Sequence, residues 1–121
     1  MTVEEIAHRY YEAWQEKGGD FSEVPLADDF EFTGPVANFT SAEGYRQMAS
    51  EAGQVVTRFE VARQFVDGNS VFSIVDWEMA IPGVGPLRAA ELLEIADGKI
   101  VRGELFYDGE ELRTAMSQRG G

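Results

Sequence analysis

Glu91 is the acid whose placement most invites chemistry. In the run from Leu87 to Ala96, Ala89, Glu91, Leu93 and Ile95 share one face by the two-residue alternation of a strand. A carboxyl on that mostly apolar face points into the interior. Burial disfavours its charged form and raises its pKa, so it can stay protonated and act as a general acid. The structural alternative is a polar core contact with Arg88, Arg63 or a tyrosine hydroxyl. Tyr10 can supply such a hydroxyl from a helix, or it is simply core. Two further acids lie in neighbouring runs. Asp76 lies within Ser70 to Ile81, and Asp108 closes the last apolar run after Phe106-Tyr107.

Strand parity tests those two acids. Val71, Ser73, Val75, Trp77 and Met79 form the more apolar set of their run, so alternation turns Asp76 outward. In the last run the inward set counted from the preceding turn is Val101, Gly103, Leu105 and Tyr107. That turns Asp108 outward too, unless Gly103 hosts a bulge that changes the register. Asp108 with Glu111 also reads as a capping box for a final helix. The expected wall of a ligand site is Trp14, Met48, Val75, Trp77, Met79, Gly103, Leu105 and Tyr107. His8, the one histidine, falls on the polar side of the first helix and reads as a solvated residue.

The elements that must position these groups follow from periodicity. Thr2-Val-Glu-Glu opens a helix with a hydroxyl cap and Glu5 three residues on. Ile6, Tyr10, Ala13 and Trp14 continue it over residues 3–17, and Gly18-Gly19 ends it. Phe21 to Leu26 reads as a turn or loop, and Asp29 to Thr33 as a strand stopped by Gly34-Pro35. Thr40-Ser41-Ala42-Glu43 caps a second helix that runs to about Gly53. Four strands follow: Thr57 to Val66, Ser70 to Ile81, Leu87 to Ala96 and Lys99 to Tyr107. Asp97-Gly98 predicts a tight type I′ hairpin between the last two, because both central residues need positive φ. Helices followed by an antiparallel meander predict an α+β domain over residues 1–121, with the sheet curled around the first helix and a conical pocket between them.

Composition narrows the partners. A formal charge of −12 argues against nucleic acid and against anionic membrane surfaces, which need a basic face. No cysteine is present, so neither disulfides nor thiol chemistry is expected, and one histidine makes a zinc or iron site an unpromising reading. No run is long and apolar enough to span a bilayer, and the N-terminus lacks a signal-peptide pattern. The expectation is a cytoplasmic protein without metal or organic cofactor. Phosphate loops, nucleophile elbows and zinc-protease motifs are missing.

Three segments taken in order resemble the nuclear transport factor 2-like superfamily: IAHRYYEAW in the first helix, LADDFEFTGP before and through the first strand, and the closing DGKIVRGELFYD. The chain is similar to its SnoaL-like and ketosteroid isomerase-like branch over nearly its whole length. The resemblance implies a cone of curved, mainly antiparallel sheet wrapped on helices, an apolar pocket, and a homodimer through the outer sheet face. Residue by residue, Tyr10 matches the isomerase tyrosine and Glu91 its oxyanion-hole acid. Gly34, directly before Pro35, stands where the isomerases carry their base. In limonene epoxide hydrolases an Asp-Arg-Asp set does the work. Asp76, six residues before Pro82, and Asp108 match its two acids, whereas Ile74 stands at the arginine position. SnoaL-like cyclases use an acid near Asp108. The implied activity is cofactor-free acid/base chemistry (isomerisation, cyclisation or epoxide hydrolysis) on a small apolar molecule containing oxygen. The alternative is a non-catalytic ligand-binding or dimerisation module.

Overall fold

The computed structural model describes residues 1–120. The first helix, α1, spans Val3–Gln15. Thr2 Oγ1 accepts from the Glu5 backbone N–H at 3.1 Å, and the Glu5 carboxylate accepts from the Thr2 N–H at 3.3 Å, so the expected capping box forms. The helix ends two residues earlier than its apolar spacing suggests, and Gly18 and Gly19 follow with φ of 58° and 85°. Gly19 is required twice over. A Cβ there would lie 2.0 Å from the Ala49 carbonyl oxygen of the second helix, α2, at Ala42–Ala52. Gly53 just past α2 would in turn meet the Gly18 oxygen at 1.8 Å. The ends of the two helices therefore touch backbone to backbone.

Six strands form one curved sheet in the order β2-β1-β6-β5-β4-β3. They are β1 Leu26–Thr33, β2 Asn38–Phe39, β3 Val56–Asp67, β4 Ser70–Met79, β5 Leu87–Ala96 and β6 Lys99–Phe106. β3 to β6 make the expected antiparallel meander. β1 pairs parallel with β6, which makes the sheet mixed, and the short β2 is an element that periodicity did not reveal. The β5–β6 turn is the two-residue Asp97-Gly98 loop, with φ of 53° and 75° at its two positions. A last helix, α3, spans Glu110–Gly120. Among the described residues no helix is long and apolar enough to cross a membrane.

Parity holds along β4 and β5. Val71, Ser73, Val75 and Trp77 are buried, as are Ala89, Glu91, Leu93 and Ile95. It fails at the start of β6. Ile95 pairs with Ile100 while Glu94 pairs with Arg102, so Val101 is an extra residue in a bulge. Ile100, fully buried, takes the inward place expected for Val101. Beyond the bulge Gly103, Leu105 and Tyr107 face inward as expected. Further register breaks in β3, at residues 56–58 and 61–63, put extra residues on one strand and bend the sheet around the helices. The core is dense in aromatic rings: Tyr45 of α2 packs against Tyr10, Phe21, Phe30 and Phe32 with centroids 4.9–6.2 Å apart.

Candidate functional site

Between the concave sheet face and the helices lies an open cavity of about 160 Å³. Its walls are almost wholly apolar. Trp14 of α1, Met48 of α2, Val75, Trp77 and Met79 of β4, and Leu105 and Tyr107 at the end of β6 all line it, as the sequence suggests. Gly103 does not. A Cβ on Gly103 would lie 3.1 Å from Phe32 and 3.3 Å from Phe30, so this residue serves close packing beneath the cavity. Gly34, singled out in the sequence as the isomerases' base position, also lines the cavity, whereas the sequence reading missed Tyr45, Phe59 of β3, and Val36, Ala37 and Phe39. Phe59 joins Trp14 and Trp77 into one aromatic strip, with stacked centroids 6.0 and 6.4 Å apart, and Tyr107 meets Trp77 edge-on at 5.1 Å.

Glu91 is the one carboxyl in this wall, and it is 4% exposed. β5 sends it inward between Ala89 and Leu93, and its cross-strand neighbours are Ser73 and Leu105. Tyr10 Oη donates to Glu91 Oε2 at 2.9 Å. Tyr45 Oη lies 2.5 Å from Tyr10 Oη. Tyr10 has one proton and gives it to Glu91, so Tyr45 is the donor in that second contact. The result is a directed relay, Tyr45 to Tyr10 to Glu91. No cation takes part. Burial pushes the Glu91 carboxyl up to about 7 against the smaller opposing pull of Tyr10 and Tyr11. Burial, then the neighbouring Glu91 charge, pushes both Tyr10 and Tyr45 up, so both phenols remain protonated donors.

Tyr10 itself does not reach the cavity. It is fully buried and hydrogen-bonded to Glu91; the hydroxyl-bearing residues in the wall are Tyr45 and Tyr107. Asp76 and Asp108 lie off the site. Asp76 is on the outer sheet face, where Arg88 grips it through two hydrogen bonds of 2.7 and 2.8 Å. That pairing holds the Asp76 carboxyl below its usual range. Asp108 is exposed, and its Oδ1 accepts from the Glu110 N–H at 3.1 Å in a local turn. The expected capping box with Glu111 does not form, because the Glu111 carboxylate accepts from the Gly85 N–H instead. The bulge at Val101 does not turn Asp108 inward, since it precedes the inward run from Gly103. His8 sits on the exposed side of α1, 3.4 Å from Glu12. Among the described residues no three His, Cys, Asp or Glu side chains come close enough to hold a metal ion.

This architecture recurs widely among solved structures. An NTF2-like protein of unknown function from Cytophaga hutchinsonii superposes with a TM-score of 0.80 at 20% identity, covering 93% of this chain and 96% of that one. A hypothetical protein with a ketosteroid isomerase-like fold from Catenulispora acidiphila, in complex with trimethylamine, gives 0.73 at 17% identity, covering 98% and 95%. A de novo designed protein with a curved β-sheet gives 0.75 at 25% identity, covering 97% and 96%. The likeness to the first two is one of fold, and one fold can host many unrelated functions. No curated protein matches the chain in sequence. The family model described as a SnoaL-like domain matches residues 7–103, which take in most of α1, most of the cavity wall and Glu91, and the chain therefore belongs to the SnoaL-like domain family.

Proposed function

We propose that this protein is a cofactor-free acid/base catalyst acting on a small, mainly apolar carbonyl, enol or epoxide compound, with Glu91 as the proton-transferring group. The observation that carries this reading is a lone carboxyl, 4% exposed, in the wall of an otherwise apolar open cavity. Oε2 of Glu91 is engaged by Tyr10, which leaves Oε1 to meet a ligand oxygen. A neutral Glu91 donates to that oxygen, and the Tyr45–Tyr10 relay steadies the carboxylate that results. A carboxyl balanced near neutrality can then take a proton back, as isomerisation requires. The cavity volume of about 160 Å³ suits a compound with one ring, since a cavity of about 150 Å³ accommodates benzene.

A second reading, binding without catalysis, has an observation of its own. Gly34 lines the mouth where a base would be useful, and no second carboxyl shares the cavity wall with Glu91. Hydrogen–deuterium exchange α to the carbonyl of single-ring ketones, followed by NMR in parent protein and in Glu91→Gln, separates the two. Exchange that depends on Glu91 supports the catalyst. Saturable quenching of Trp14 and Trp77 fluorescence without exchange supports the binder, and neither response to any ring ketone refutes both. We further propose that the chain acts as one domain and dimerises through its outer sheet face. Ile74, Ala90 and Phe106 lie side by side there across three strands, next to the Phe72–Leu92 pair, and Phe106 is 53% exposed.

A further inference from the structure

We infer that Tyr11 is a positioning residue that donates a hydrogen bond to Glu91 only when Glu91 ionises. This rests on the acid/base reading of Glu91 and adds a group to it. Tyr11 follows Tyr10 on α1 and is 2% exposed. Its ring is fixed by an edge contact to Tyr10 at 5.1 Å and a stacked contact to Phe59 at 6.2 Å. Its hydroxyl is buried and has no hydrogen-bond partner among the described residues, although it faces both Glu91 and Ser73. Burying an unpaired hydroxyl is costly, so a fold that keeps one gains from a state in which it is paired.

The neighbours define that state. Glu91 is faced from α1 by Tyr10 and Tyr11, with Tyr45 of α2 behind Tyr10, and from the flanking strands by Ser73 and Leu105. None of these carries a positive charge. Ser73 Oγ already accepts from Gln64 Nε2 at 3.1 Å. A carboxylate is a much stronger acceptor than a neutral carboxyl or a serine hydroxyl. When Glu91 gives up its proton, the idle O–H of Tyr11 is therefore drawn to it, through a small rotation of the carboxyl or the hydroxyl. Tyr10 holds Glu91 before and after the transfer, whereas Tyr11 contributes as charge develops. An interaction of that kind lowers the barrier because it is absent in the resting state.

The test needs no substrate. Selective ¹³C labelling of glutamate carboxyls lets the Glu91 signal be titrated by NMR in the free protein. Tyr11→Phe keeps the ring and removes only the donor, and the Glu91 midpoint should rise by roughly one pH unit. An unchanged or lower midpoint in the folded variant overturns the inference, and would mean that Tyr11 serves Ser73 alone. Should Tyr11→Phe fail to fold, 3-fluorotyrosine at position 11 strengthens the donor and should lower the midpoint; no movement, or a rise, overturns the inference equally. A parent midpoint at the ordinary carboxylate value would refute the proposed role of Glu91 as a neutral acid. The direction of the shift on substitution would still decide for or against Tyr11.

Discussion

Replacing Glu91 by Gln isolates the energetic consequence of sending a carboxyl into the cone. The ordinary value for the group is 4.5, and in the fold it is pushed up to about 7 by burial. The folded state then binds the proton more tightly than the unfolded state, so ionisation opposes folding. Nothing is lost below about pH 4. The cost grows as pH rises from 4.5 toward 7 and levels off above that, and the interval corresponds to about 3 kcal/mol. Glu91→Gln has the shape of the neutral acid. Its amide oxygen can accept from Tyr10, and its NH₂ can face the cavity or the unpartnered Tyr11 oxygen. Urea denaturation at pH 4, 6 and 8 should show parent and variant nearly equal at pH 4. At pH 8 the variant should be the more stable by about 3 kcal/mol, a large share of the usual 5–15 kcal/mol of a domain. Two parallel pH profiles would refute the reasoning. A variant weaker than the parent at pH 8 but not at pH 4 would refute it more pointedly, because it would require a cation beside Glu91 that stabilises the charge.

Asp76→Asn and Asp108→Asn should leave any ketone exchange activity close to that of the parent, because both side chains lie off the cavity; a loss of roughly 100-fold or more, as expected for removal of an acid/base group, would place one of them in the reaction. Gly34→Asp puts a carboxylate at the mouth of the cavity and should give measurable proton transfer on a β,γ-unsaturated ketone. No gain in a folded variant that still binds the ketone would mean that the Glu91 donor does not reach the bound oxygen. The protein should sediment at micromolar concentration as twice its chain mass of 13.4 kDa, and Phe106→Glu should halve that; a parent sedimenting as a monomer refutes the proposed interface.

How far these residues could be read from sequence depended on contrast between strand faces. β4 and β5 each have a distinctly apolar set, so counting by two placed Glu91 inside and Asp76 outside correctly. Asp97-Gly98 fixed the hairpin because few residue pairs tolerate positive φ at both positions. The start of β6 offered no such contrast. Ile100 and Val101 are equally apolar, and the bulge that selects Ile100 goes with parallel pairing to β1, including an Ile100 N–H bond of 2.9 Å to the Pro25 carbonyl. That contact is remote in sequence and leaves no local pattern. Tyr10 and Tyr11 posed a related difficulty. Neighbours on a helix point 100° apart, and both are buried here because a concave sheet covers a wider stripe of α1 than a flat one would. Periodicity marked one of the pair as core and could not assign a hydroxyl role to the other.

The two sheet faces explain why one acid carries so much of the functional argument. The chain has 22 acidic residues, yet Glu91 is the buried one among those described. On the outer face the acids have company: Asp76 with Arg88, Glu60 and Glu78 with Arg58, and Glu104 with Arg102. Such solvated pairs add little stability and are easily exchanged. The polar groups around Glu91 are hydroxyls, without a cation, and a core selected for stability alone would be better served by an apolar residue of similar volume. Its retention inside a cavity with an open mouth, backed by a relay of tyrosines, is an energetic cost that acid/base work on a bound molecule would justify.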